Sequence, residues 1–182
     1  MKSTLTAVFA VALLTCVVAA QQPPQAQKPG PEQKRIGYFA GDWSFSGEAK
    51  PSPMGPGGKI TATESCSWFA GGFHLVCRTK GTGPMGPSTG QSTMSYDTGR
   101  KMYTYHAINS TGSAIFVRGQ VDGKVWTWSD DMTIEGKAMK IRATVTEESP
   151  TAYSFKLEAG DGTAMAVIEE GRATKVKKTT TE

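Results

Sequence analysis

Residues 66–77 read CSWFAGGFHLVC. Cysteines close the two ends, a pair of glycines sits at the centre and strand-forming residues fill both arms, so the stretch predicts a hairpin with a staple across it. With Gly71 and Gly72 as a two-residue turn, Ala70 stands opposite Phe73, Trp68 opposite Leu75 and Cys66 opposite Cys77. One face then carries Cys66, Trp68, Ala70, Phe73, Leu75 and Cys77 and reads as core, while Ser67, Phe69, His74 and Val76 take the other. The same count makes Cys66 and Cys77 a hydrogen-bonded pair with the wider Cα separation, a parity that a longer loop or a bulge would change.

Outward from this hairpin the chain continues in the same idiom. Short alternating segments at 42–50, 59–70, 73–82, 89–96, 101–108, 113–121, 124–130, 137–147, 152–158 and 163–170 are parted by turn chemistry such as DTGR, NSTG, VDGK, EESP and AGDG. No amphipathic helix long enough for a parallel crossover intervenes. The expected fold is therefore all-β: an up-and-down antiparallel β-barrel of about ten strands, closed because closure removes unpaired edges. Parity supports one wet and one buried face per strand. Trp126 and Trp128 share a side, as do Met139, Ile141, Ala143 and Val145, and again Tyr153, Phe155 and Leu157. Before the first strand, EQKRIGYFAG (32–41) has the pattern of two helical turns, too short to stand without docking on the barrel.

The N-terminus reads as an export signal. Residues 1–20 carry one early lysine, an apolar run of about 15 residues and small residues at the end, which predicts cleavage before Gln21 and a periplasmic or secreted protein. Competing readings are a retained membrane anchor and acylation at Cys16. Residues 21–32, rich in Pro and Gln, read as a disordered leader, 33–178 as a single barrel domain and 179–182 as a tail. Once the signal is cleaved, no stable membrane insertion is expected. Cleavage removes Lys2 and lowers a formal net charge of only +4, with basic residues spread along the chain, so nucleic acid is not an expected partner. Lys175, Lys177 and Lys178 form the one dense basic run, read as a solvated tail. Cys66 and Cys77 are the cysteines left after cleavage, and in an exported chain they are expected to form a disulfide rather than stay as reduced core thiols.

Chemistry is sparse. The chain has no nucleophile elbow, phosphate loop, dinucleotide fingerprint or zinc-protease helix, so neither catalysis nor a cofactor is expected. His74 and His106 lack neighbours at metal-ligand spacing, and no metal site is expected. Asp97 and Asp161 fall in turn sequences, where they cap backbone groups. Glu64 differs: it lies within a strand and shares parity with Cys66 and Trp68, either as an inward polar anchor or as a rim residue. The tetrapeptide PMGP occurs at 53–56 and again at 84–87, and counting turns places both copies on one rim, with Met54 and Met85 at a pocket mouth. A ligand-binding barrel would be lined from among Glu64, Trp68, Phe73, Leu75, Tyr105, His106, Trp126, Trp128, Met139, Ile141, Tyr153 and Phe155, and the partner expected is a small apolar molecule. If the same side chains fill the interior completely, the alternative is a structural or interaction domain of the cell envelope.

YFAGDW (38–43) followed by a strand resembles the G-x-W opening of lipocalins and other calycins, here Gly41, Asp42 and Trp43. That resemblance implies a short helix before the first strand, Trp43 closing the barrel floor, and an arginine from a late strand packed on it, Arg142 or Arg172. More specifically, the run from GDWSFSGEAK through CSWFAGGFHLVCR, then TGQSTMSYD, KMYTYHAINSTG, VDGKVWTW and TEESPTAYSFKLEAGDG, resembles the bacterial exported proteins grouped as the DUF1579 family of unknown function. It spans roughly residues 33–176 and implies the barrel fold without bringing any catalytic residue.

Overall fold

Period-2 alternation repeated along the chain produces ten strands: β1 (Gly41–Ala49), β2 (Gly58–Trp68), β3 (Leu75–Gly83), β4 (Gly86–Asp97), β5 (Met102–Asn109), β6 (Ala114–Asp122), β7 (Val125–Ile134), β8 (Lys137–Ser149), β9 (Ala152–Gly160) and β10 (Met165–Lys175). The structure is a computed structural model that describes residues 28–134 and 136–176. Each strand pairs antiparallel with its sequence neighbours and β10 returns to β1, closing the barrel. The proposed signal and most of the leader lie outside the described residues.

One end is plugged. A helix, α1 (Pro31–Arg35), runs into a 3-10 turn (Ile36–Phe39). Proline is tolerated at its first position because that N–H has no partner within a helix, and Gly30 N–H donates instead to Gln33 Oε1 at 2.9 Å. The helix thus starts within the stretch read as leader. Ile36 and Phe39 are buried beneath the barrel beside Trp43, Tyr103, Trp126 and Tyr153. Polar contacts hold the plug in place. The Tyr38 hydroxyl lies 2.9 Å from the Ser149 carbonyl and 2.8 Å from that of Ala152, Trp43 Nε1 donates to Phe39 O at 2.8 Å, and Arg35 donates to Gly123 O at 3.1 Å. Arg35 also pairs with Glu147 and lies over the Trp126 ring, 5.0 Å from its centroid.

Trp43 is at the floor, as the G-x-W resemblance implies, but neither arginine packs on it. Arg142 pairs with Glu158 and Arg172 with Glu148, all on the outward parity of their strands. Lys175, the cross-strand partner of Trp43, places its Nζ 5.0 Å from the indole centroid instead.

The stapled hairpin keeps its pairing and changes its loop. Cys66 faces Cys77 and Trp68 faces Leu75, but the strands stop at Trp68 and resume at Leu75, and Phe69 N–H donates to His74 O at 2.8 Å. That longer loop inverts the parity expected from a two-residue turn. Cys66 and Cys77 form a non-hydrogen-bonded pair, Cα atoms 4.0 Å apart, and are joined by a disulfide. The second PMGP shows the reverse change: its turn is only Pro84 and Met85, with Gly83 paired to Gly86 at φ 99°.

Candidate functional site: the barrel interior

Inward positions change character from floor to mouth. Near the floor stand Trp43, Tyr103, Trp126 and Tyr153, whereas the mouth half of β3 and β4 offers Thr79, Gly81, Gly90 and Ser92. Glycines also let large rings lie against the wall rather than reach for the axis. A Cβ on Gly119 would sit 2.5 Å from Trp128 Cε3, and one on Gly171 would sit 2.6 Å from Phe155 Cζ. The rings occupy the volume those side chains would have taken.

The interior is consequently hollow above the floor. One hollow of about 430 Å³ is walled by Phe45, Met94, Tyr105, Val117, Trp128, Ile141, Val145, Tyr153 and Phe155. Another, of about 530 Å³, lies under the rim against Ile60, Ala62, Thr79, Gly81, Ser92 and Glu169. Met54, Tyr105, Ile115 and Leu157 line both. The two PMGP loops meet at the mouth, where Met54, Met85, Pro56 and Pro84 border the upper hollow. These volumes fall in the range of small-molecule sites.

A polar group is set into this wall. Glu64 faces Trp43 on one side and Thr79 on the other, and Thr79 Oγ1 donates to its carboxylate at 2.8 Å. Burial raises the Glu64 pKa, with the Thr79 bond working against it. The Tyr105 hydroxyl is pushed up to about 12 by burial and by the nearby Glu64 charge, against the pull of the neighbouring Ser92 hydroxyl. Ser92 is 4% exposed, its Oγ shut in beside the Tyr105 hydroxyl. Glu169 alternates with Gly171 and Ala173 and faces Ala49 and Leu157, which places it on the inner face, and burial raises its pKa too.

The residues singled out from the sequence separate into three groups. Glu64, Tyr105, Trp128, Ile141, Tyr153 and Phe155 line the lower hollow together, and Met54 and Met85 stand at the mouth. Trp126 and Leu75 belong to the sealed floor, fully buried, with Trp126 Nε1 donating to Glu147 Oε1 at 2.6 Å. Trp68, 38% exposed, and Phe73 belong to the hairpin end that covers the plug, next to Gly37 and Pro29, so neither reaches the cavity. Met139 pairs with Met132 at the rim; only Met132 lines the hollow. His106 alternates with inward Tyr105 and so points out, its ring 4.2 Å from that of Phe116. His74 is also outside, its Nδ1 2.6 Å from Ser95 Oγ.

Sequence reasoning missed Ser92, Thr79, Asp130 and Glu169. Parity with Met94 and Tyr96 marks Ser92 as inward, but nothing local sets it apart from other serines. Parity with Gly171 and Ala173 likewise marks Glu169 as inward, but in sequence it stands beside Glu170 with nothing to tell the two carboxylates apart. Glu64, Cys66 and Cys77 have potential ligand atoms within 4.8 Å of one another, but the disulfide leaves no thiolate for a metal.

Fold and site together define a one-ended cup: a closed ten-stranded barrel, plugged below, open above, with carboxylates inside. The chain belongs to the family described as "Protein of unknown function (DUF1579)", which it matches over residues 28–173. Among solved structures it is similar to the crystal structure of Rv2717c from M. tuberculosis, at 11% identity and TM-score 0.58, over 81% of this chain and 99% of that one. It is also similar to a de novo designed fluorescence-activating β-barrel (15% identity, TM-score 0.45, 78% of this chain and 96% of that one). A redesigned β-barrel gives 16% identity and TM-score 0.41 over 78% and 95% of the two chains. No curated protein matches the sequence.

Proposed function

We propose that this barrel binds a small, largely apolar molecule in its interior, admitted between the loops at 50–57 and 84–85, and that it does so as an exported carrier or sensor without catalysis. The observation that supports this reading is the hollow of about 430 Å³ above an aromatic floor, walled by rings that lie against glycines. A domain serving only as a structural element would gain stability by filling that space. The resemblance of Gly41-Asp42-Trp43 to the calycin opening accords with a binding cup, and the disulfide accords with an oxidising compartment.

Native mass spectrometry of protein isolated from its own host, beside titration with the uncharged dye Nile red, tests the reading. The expected outcome is saturable binding with a change in Trp128 emission, abolished when Ile141→Trp fills the lower hollow. Trp126, sealed under the floor, should not respond. Absence of both a co-purifying molecule and saturable dye binding would return the protein to the envelope-interaction alternative.

A further inference from the structure

The charge of the lining narrows the ligand, and this step rests on the binding reading above. Three carboxylates line the two hollows, Glu64, Asp130 and Glu169. Among the described residues, the single lysine or arginine in either lining is Lys50, and its Nζ is held by Glu170 at 2.7 Å. Outward parity takes Arg78, Lys80, Arg118 and Arg142 to the other side of the wall. A ligand carboxylate placed here would lose its water and meet like charge.

A cation meets the opposite conditions. Glu64 receives one hydrogen bond among the described residues, from Thr79, so its carboxylate retains acceptor capacity inside the cavity. Aromatic faces stand close by: Tyr105 and Trp128 have ring centroids 5.9 Å apart, and Phe45 and Phe155 6.0 Å. A carboxylate beside such rings is the chemistry that recognises an ammonium group. We propose that the barrel takes a lipophilic amine, an apolar body bearing one ammonium group, with Glu64 as counter-ion among these rings, and that it rejects the corresponding carboxylate.

Decylammonium, decanol and decanoate, equal in chain length, separate the contributions in calorimetric titrations at pH 7.5. Decylammonium should bind at least about tenfold more tightly than decanol, the worth of one charge-assisted hydrogen bond, with decanoate weakest. Glu64→Gln retains the partner of Thr79 and should erase the ammonium preference while leaving decanol binding within about twofold. Glu48→Gln, which makes the same charge change on the outer face of β1, should preserve it. Decanoate binding as tightly as decylammonium, a preference that survives Glu64→Gln, or equal erosion in Glu48→Gln would overturn the amine assignment with the binding reading intact. If none of the three probes binds, the binding reading itself falls and takes the amine assignment with it. The wild-type comparison stands on its own if a variant fails to fold.

Discussion

Individual residues carry the two ends of this barrel in different ways. Trp43 is 1% exposed, packs against Tyr153 with ring centroids 4.8 Å apart and hydrogen-bonds the plug, so it joins β1, β9 and the 3-10 turn in a single contact set. Trp43→Ala should cost about 3–5 kcal/mol as a large core truncation, read from the urea midpoint at constant slope; an unchanged midpoint would remove it from the floor. Glu64 acts in the opposite sense. Its pKa is raised above 4.5 by burial, so the folded chain holds that proton more tightly than the unfolded chain does. Stability then declines as pH rises from the unfolded value through the folded one, because ionising the buried group is harder in the folded state. The groups facing it do not reverse this: Thr79 offers a single bond, Tyr105 and Tyr153 stay neutral with raised pKa values, Cys66 and Cys77 are bonded together, and Lys175 lies over the Trp43 ring. Glu64→Gln should accordingly match wild type in melting temperature below pH 4 and exceed it increasingly toward pH 7. A constant difference across that range would show that Glu64 is not desolvated.

Among the elements, the β2–β3 hairpin and the N-terminal plug are complementary closures. The disulfide spans 11 residues between two inward positions of adjacent strands. Replacing both cysteines by alanine should lower stability by about 2–3 kcal/mol, the chain-entropy value for so short a loop. Intact mass after alkylation without reductant should show neither Cys66 nor Cys77 labelled in the native protein. The pairing of these residues is legible from spacing alone, because moving both loop ends together leaves Cys66 opposite Cys77 whether the turn holds two residues or more. Which kind of pair they form is not legible, since that depends on the last hydrogen bond of the loop, here Phe69 to His74. The plug is legible as a short amphipathic stretch, yet its partners are distant in sequence. Tyr38 reaches Ser149 and Ala152, and Arg35 reaches Glu147.

Across the whole molecule, the decisive balance is between rings and glycines on the inner wall. Ten strands allow either a filled or an open interior. Here Gly119 lies under Trp128, and Gly47 and Gly171 under Phe155, which keeps these large side chains close to their strands. Gly119→Ala should force Trp128 toward the axis, costing about 1–3 kcal/mol by overpacking and weakening Nile red binding more than the stability loss accounts for. Thermal melts and dye titration on the same preparation measure both. Retained binding with an unshifted Trp128 emission would show that the ring has room elsewhere.

Strand order, the closed antiparallel architecture, the rim shared by the two PMGP loops and the facing of Cys66 and Cys77 were all legible in the chain alone. Each follows from turn chemistry and period-2 alternation, which are local properties that accumulate along a meander. What fills the barrel was not legible there. Trp126 and Trp128 have the same parity and neighbouring positions, yet one is sealed against Phe39 and the other faces a hollow, because only the docked plug defines where the floor lies. Glu169 lines a hollow while adjacent Glu170 pairs with Lys50, and Ser92 is shut in beside Tyr105 by the strands around it. Register across non-local strands sets these contacts, and alternation along one strand carries no information about depth in the barrel.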